Sequence, residues 1–109
     1  MNKIFFCSLK SKKDIGNIFL EKNVVSNKIY LFRYRYNDIK KLRYAFSTKK
    51  NIFKTAVIRN KIKRQLRMIM NGIEKIKNID ILIIVKQEYN INEWNNNKKL
   101  FLSLYEKIK

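Results

Sequence analysis

Histidine and proline are absent from the 109 residues, glycine occurs twice, cysteine once, and only 8 residues are Asp or Glu. Without histidine the commonest general base and zinc ligand is missing. A lone Cys7 can make neither an internal disulfide nor a metal site by itself, which fits a reducing compartment. With only Gly16 and Gly72 available, turns must be built from Asn, Asp, Ser and Lys. No apolar run approaches the roughly 18–20 residues needed to cross a bilayer. The apolar stretch Ile4–Cys7 is too short for a secretory signal, so no membrane association is expected.

Cations fill the space the acids leave. The 26 Lys and Arg set a formal net charge of +18, while 46% hydrophobic residues suffice for a real core. The length fits one domain spanning 1–109, with no repeat or linker to divide it. Such a chain expects a polyanionic partner. Lys, Ile and Asn, all with A/T-rich codons, make up almost half of it. The six arginines are therefore the more informative cations, and Arg59, Arg64 and Arg67 fall close together.

Periodicity outlines the elements. Ser11 and Asp14 resemble a capping box for a helix over about 11–22, with Ile15, Ile18 and Phe19 as its apolar stripe and Asn23 as a stop. Lys28 to Tyr36 alternates strictly, placing Tyr30, Phe32, Tyr34 and Tyr36 on one face and Ile29, Leu31, Arg33 and Arg35 on the other. Asn37-Asp38 is a turn signal before a second strand, Leu42–Ser47, and the short gap predicts an antiparallel hairpin. Ile79–Val85 is nearly all aliphatic and suits a central strand covered on both faces, with Asp80 at its start. A last helix over about 92–107 collects Trp94, Phe101, Leu104, Tyr105 and Ile108 on one side.

The segment from about Thr55 to Asn71 carries the functional signal. On a helical wheel Ile58, Ile62, Leu66, Ile69 and Ile73 share one sector, and Arg59, Asn60, Lys63, Arg64 and Arg67 fill the adjoining one. Gly72 stands at the helix end. From residue 39 to 73 no carboxylate occurs, so the i,i+4 pairs Arg59/Lys63 and Lys63/Arg67 go unrelieved. A polyanion relieves that repulsion and gains bidentate Arg–phosphate contacts. The aromatic row on the first strand suits core packing, or base stacking on an open sheet face. Trp94, Met68 and Met70 read as core. No paired carboxylates, Cys–His set or glycine-rich phosphate loop is present, so the chain lacks the parts of a catalyst.

The run Phe46 to Arg67, FSTKKNIFKTAVIRNKIKRQLR, resembles the protein subunit of bacterial ribonuclease P. Arg59 to Arg67 fits that family's Arg-Asn-Arg helix, with Lys61 in place of the third signature residue. Ser47, Lys49 and Lys50 resemble its Ser-Lys-Lys strand end, and Ala56-Val57 the pair before the signature arginine. Leu9-Lys10, Asp14 and Phe19 are similar to its first helix, where Ile15 replaces one of two groove aromatics. The connection from Lys50 to Ala56 departs from the pattern, being some two residues longer and lacking a glycine.

The resemblance implies an α+β fold, a compact two-layer α/β sandwich in the order α-β-β(-β)-α-β-α, with a left-handed crossover around the basic helix. It implies a cytoplasmic ribonucleoprotein subunit whose RNA partner holds catalytic Mg²⁺ and cleaves the 5′ leader from precursor tRNA. Arg59, Asn60, Lys61, Lys63, Arg64, Arg67, Ser47, Lys49 and Lys50 would then contact RNA, and Phe19, Phe32 and Tyr34 would line a leader groove. A structural or ribosomal RNA-binding protein is the alternative. A DNA-binding regulator fits less well, since no helix-turn-helix pair or dimer seam is visible, and no DNA partner is expected.

Overall fold

The computed structural model describes the backbone of residues 6–8 and 12–108, and side chains from Lys13 to Ile108 except Asp14. The side chain of Cys7 and the Ser11/Asp14 capping box lie outside the described residues. The elements run β1 (Phe6–Ser8), α1 (Lys12–Leu20), β2 (Val24–Ser26), β3 (Tyr30–Tyr36), β4 (Leu42–Ser47), α2 (Ala56–Asn71), β5 (Ile79–Val85) and α3 (Trp94–Glu106). One sheet has the strand order β1-β4-β5-β3-β2. The strands β4 and β5 match their expected spans, whereas β1 and β2 are three-residue edge strands too short to show alternation.

The expected β3–β4 hairpin does not form. Instead β5 lies between them, antiparallel to β3 (Phe32 opposite Ile83) and parallel to β4 (Phe46 opposite Ile83). The reason is burial. A strand that is aliphatic but for Asp80 must satisfy its backbone on both edges and cover both faces, and the central slot offers that. The five residues 37–41 therefore step across a full strand, with Lys40 at φ 58° in the left-handed region. Asn37 stitches this step: its N–H donates to the Asn78 carbonyl, and its Nδ2 to the Lys41 carbonyl at 3.0 Å. Chain continuity then makes α2 the crossover between two parallel neighbours, β4 and β5.

Register decides the layers. Even-numbered residues of β3 share a face with Leu42, Tyr44 and Phe46 and with Ile79, Ile81, Ile83 and Val85. On that face α2 and α3 close the main core, where Ile62, Leu66 and Ile69 meet Phe32, Ile81, Ile83, Phe101 and Leu104. The opposite face carries Leu31, Arg33, Arg35, Arg43, Ala45, Asp80, Leu82 and Ile84. There α1 seats Ile18 on Leu82, with Ile15, Ala45 and Ile84 around it, as a second small core. The sheet with α2 and α3 forms the sandwich, and α1 covers part of the reverse side.

A candidate RNA interface

Thr55 starts α2 by accepting the Ile58 N–H on Oγ1 at 3.2 Å, satisfying one of the helix's free donors. At the other end the Gly72 N–H donates to the Ile69 carbonyl at 3.0 Å with φ −90°, a right-handed conformation open to any residue. Ile62, Leu66, Ile69 and Met70 are buried beneath the helix. Asn60, Lys61, Arg64 and Arg67 are exposed above it, and Arg59 and Lys63 are half-buried along the border. Each large aliphatic contributes about 1.5–3 kcal/mol on burial, against a few tenths lost per like-charge i,i+4 pair. Packing therefore fixes the rotation of the helix, and the cations go where the aliphatics leave them. Met68, expected in the core, is exposed instead, because it falls on the Arg64 side of the wheel.

The longer, glycine-free connection folds without glycine. The Lys49 carbonyl accepts the N–H groups of Ile52 and Phe53 at 3.1 and 2.8 Å, a helical turn that needs no left-handed residue. Phe53 drops into the main core, and Arg59 Nη1 donates to its carbonyl at 2.7 Å. Ser47 is half-buried at the end of β4, and Lys49 and Lys50 are exposed in the turn that leads to Arg59. Gln65 is a second tie that sequence reasoning missed. It accepts from the Tyr89 hydroxyl at 2.6 Å and donates to the Ile91 carbonyl at 2.8 Å. The available signal was a neutral polar residue in a cationic run at the edge of the aliphatic stripe. Burial pushes the Tyr89 phenol up to about 12, so it stays a proton donor.

Phe19, Phe32 and Tyr34 do not share a groove. Phe32 is fully buried, its ring 4.9 Å from Phe101 and 5.7 Å from Tyr30, so no base can stack on it. Alternation places it beneath α3, on the far side of the sheet from Phe19. Tyr34 is half-buried on that same α3 side, edge-on to Tyr36, and burial raises its phenol above the ordinary range, with Tyr36 adding to the effect. Phe19 is 50% exposed on the other face. Its partner there is Arg33, whose guanidinium carbon lies 5.1 Å from the ring centroid, a cation–π contact. Sequence reasoning did not single out Arg33, because the aromatic row occupies the other face of β3.

Asp80 is the second residue of β5 and is fully buried. Arg43 donates to it through Nε at 2.7 Å and Nη2 at 2.6 Å, and Asn37 Nδ2 through a further bond of 2.9 Å. Both carboxylate oxygens are thus committed. No group of three or more Asp, Glu or Cys converges among the described residues, so these side chains do not fit a metal cage of their own. The same residues form no acid–base pair. What they form is a cationic ridge on one helix and an arginine–aromatic stack across the reverse face of the sheet.

Known proteins are similar to this chain in sequence and in fold. A family model described as Ribonuclease P matches residues 6–109. The ribonuclease P protein component of Mycoplasma capricolum is 33% identical over 93% of this chain and 94% of its own. That of Mesoplasma florum is 34% identical over 84% of this chain and 90% of its own. Among solved structures, the RNase P protein from Thermotoga maritima superposes with a TM-score of 0.74 at 25% identity, covering 94% of this chain and 97% of that one. The Staphylococcus aureus RNase P protein shares the fold, with a TM-score of 0.70 at 23% identity over 90% and 94% of the two chains. With its basic helix, connection and sheet all inside the matched span, the chain belongs to the ribonuclease P protein family.

Proposed function

We propose that this protein is the RNA-binding subunit of a cytoplasmic ribonuclease P, holding the catalytic RNA and the 5′ leader of precursor tRNA while the RNA subunit cleaves. The observation that carries this reading is the ridge of α2. Asn60, Lys61, Arg64 and Arg67 are exposed as a set because Ile62, Leu66 and Ile69 are buried as a set. Arg59 also closes the first turn of α2, where the helix dipole favours phosphate. The ridge, with Lys49 and Lys50 at its approach, neutralises RNA phosphates. The single-stranded leader lies on the reverse face of the sheet beside α1, where Phe19 and Arg33 provide a stacking surface.

Catalysis belongs to the RNA, which would hold the Mg²⁺. The protein's part is electrostatic: lowering phosphate repulsion lets the RNA bind its metal and substrate at lower salt and Mg²⁺. The test is reconstitution. Rigorously RNA-free protein should leave precursor tRNA intact, catalytic RNA alone should cleave slowly at low Mg²⁺, and the two together should cleave quickly at the mature 5′ end. Cleavage by the protein alone, or no stimulation of the RNA, would refute this function. In the second case a structural RNA-binding role would take its place.

A further inference from the structure

We propose that Arg35 binds a phosphate of the single-stranded RNA that crosses the α1 face of the sheet, one step along β3 from the Phe19–Arg33 stack. The proposal rests on the leader-binding reading above. Arg33 and Arg35 are two residues apart on one strand, so they share a face at a spacing of about 6.6 Å. Arg35 is the cross-strand neighbour of Asp80, and Arg43 flanks Asp80 from the other side. That makes two guanidinium groups around one carboxylate.

The carboxylate is already spoken for. Its oxygens accept Arg43 Nε, Arg43 Nη2 and Asn37 Nδ2 at 2.7, 2.6 and 2.9 Å. Arg35 is half-buried, and its Nε is buried without a hydrogen-bond partner. A guanidinium in that position carries one uncompensated positive charge and an N–H that lacks an acceptor, which native structures seldom tolerate. A cleft of about 490 Å³, lined among others by Arg35, Arg43, Asp38 and Asp80, opens beside it. Arg43 neutralises Asp80, and Asp38 forms no ion pair with Arg35, so among the described residues the Arg35 guanidinium is left without a carboxylate. A phosphate in the cleft would pair that charge through the planar guanidinium fork.

The test uses holoenzyme reconstituted with catalytic RNA, comparing wild type, Arg35→Gln, Arg35→Lys and Phe19→Ala against leader-bearing precursor tRNA and mature tRNA at several salt concentrations. Arg35→Gln leaves Asp80 with both of its partners, so thermal stability reports an intact fold. The expected result is a loss of about three- to tenfold in affinity for leader-bearing precursor. Its slope of log affinity against log salt should become shallower by about 0.7. Binding of mature tRNA and of catalytic RNA should not change, and Arg35→Lys should keep the slope while losing part of the affinity. Unchanged binding, equal loss for mature tRNA, or loss confined to catalytic RNA would each overturn the site. If Phe19→Ala erodes leader preference and Arg35→Gln does not, the leader-binding face stands and only the phosphate site falls. If wild type shows no leader preference, both fall.

Discussion

Arg59 Nη1 donates to the Phe53 carbonyl at 2.7 Å, tying the first arginine of the basic helix to the connection that precedes it. Arg59 is therefore both a ridge cation and a structural strut, unlike the exposed Arg64.

The two arginines should separate by measurement. Arg59→Ala should lower stability by about 0.5–1.5 kcal/mol through the lost hydrogen bond, and also weaken RNA binding. Arg64→Ala should stay within about 0.5 kcal/mol of wild type yet flatten the salt dependence of RNA binding by close to one phosphate's share. Urea denaturation and salt-titrated binding to catalytic RNA read both quantities. An Arg64→Ala protein as unstable as Arg59→Ala would mean that the ridge is not solvent-facing.

The two phenylalanines should behave in opposite ways. Phe32→Ala removes a ring packed between Tyr30 and Phe101 and should cost about 3–5 kcal/mol of stability. Phe19→Ala, at a half-exposed position, should scarcely alter the melting temperature. It should instead cost leader-bearing substrate about 1–3 kcal/mol of binding free energy, with little salt dependence. Calorimetric unfolding beside competitive binding of leader-bearing and mature tRNA distinguishes these outcomes. A stable Phe32→Ala protein with impaired leader binding would reverse the assignment of faces.

The buried Arg43–Asp80 pair should be costly to break and cheap to replace. Arg43→Ala leaves a fully buried carboxylate with the Asn37 amide as its remaining donor among the described residues, and should destabilise by about 3–5 kcal/mol. Combining Arg43→Met with Asp80→Leu removes the charge and its partner together, and should recover most of that loss. Chemical denaturation of the single and double variants gives the coupling directly. Additive losses would show that the two side chains act independently.

Stability should also fall at high pH through Tyr89. Its folded value, about 12, exceeds the ordinary 10 because burial disfavours the phenolate. A raised value stabilises the fold fully below pH 10, and that contribution disappears as pH rises from 10 towards 12. Lysine neutralisation occurs over the same range, so the useful quantity is the difference between wild type and Tyr89→Phe. That difference should be level up to about pH 9.5 and then shrink by roughly 2 kcal/mol at the limit. A difference that stayed constant to pH 11.5 would mean that the phenol titrates normally.

Local order was legible wherever a period was long enough to be read. The span of α2, its aliphatic stripe at Ile58, Ile62, Leu66 and Ile69 and its cationic face follow from 3.6-residue periodicity alone. So do β4 and the aliphatic β5, whose composition demanded the central position it holds. Helix rotation needs only one amphipathic pattern, and the few kcal/mol from each buried aliphatic outweigh everything else along that segment.

Pairing and facing belonged to the tertiary structure. Whether residues 37–41 close a hairpin or step across β5 depends on a strand more than 30 positions later, and no local signal encodes it. Alternation placed Phe32 opposite Arg33 but could not say which of the two faces lies under α3. That choice made Phe32 core and left Arg33 to meet Phe19 on the other face. The partners of Asp80 were equally hidden, because an arginine on a strand looks the same whether it meets RNA or a buried carboxylate. Strand order decided it: Arg43 and Arg35 both flank Asp80, Arg43 takes the carboxylate, and Arg35 is left over. A period of two residues is a local property, whereas strand order is a balance of burial across the whole sheet.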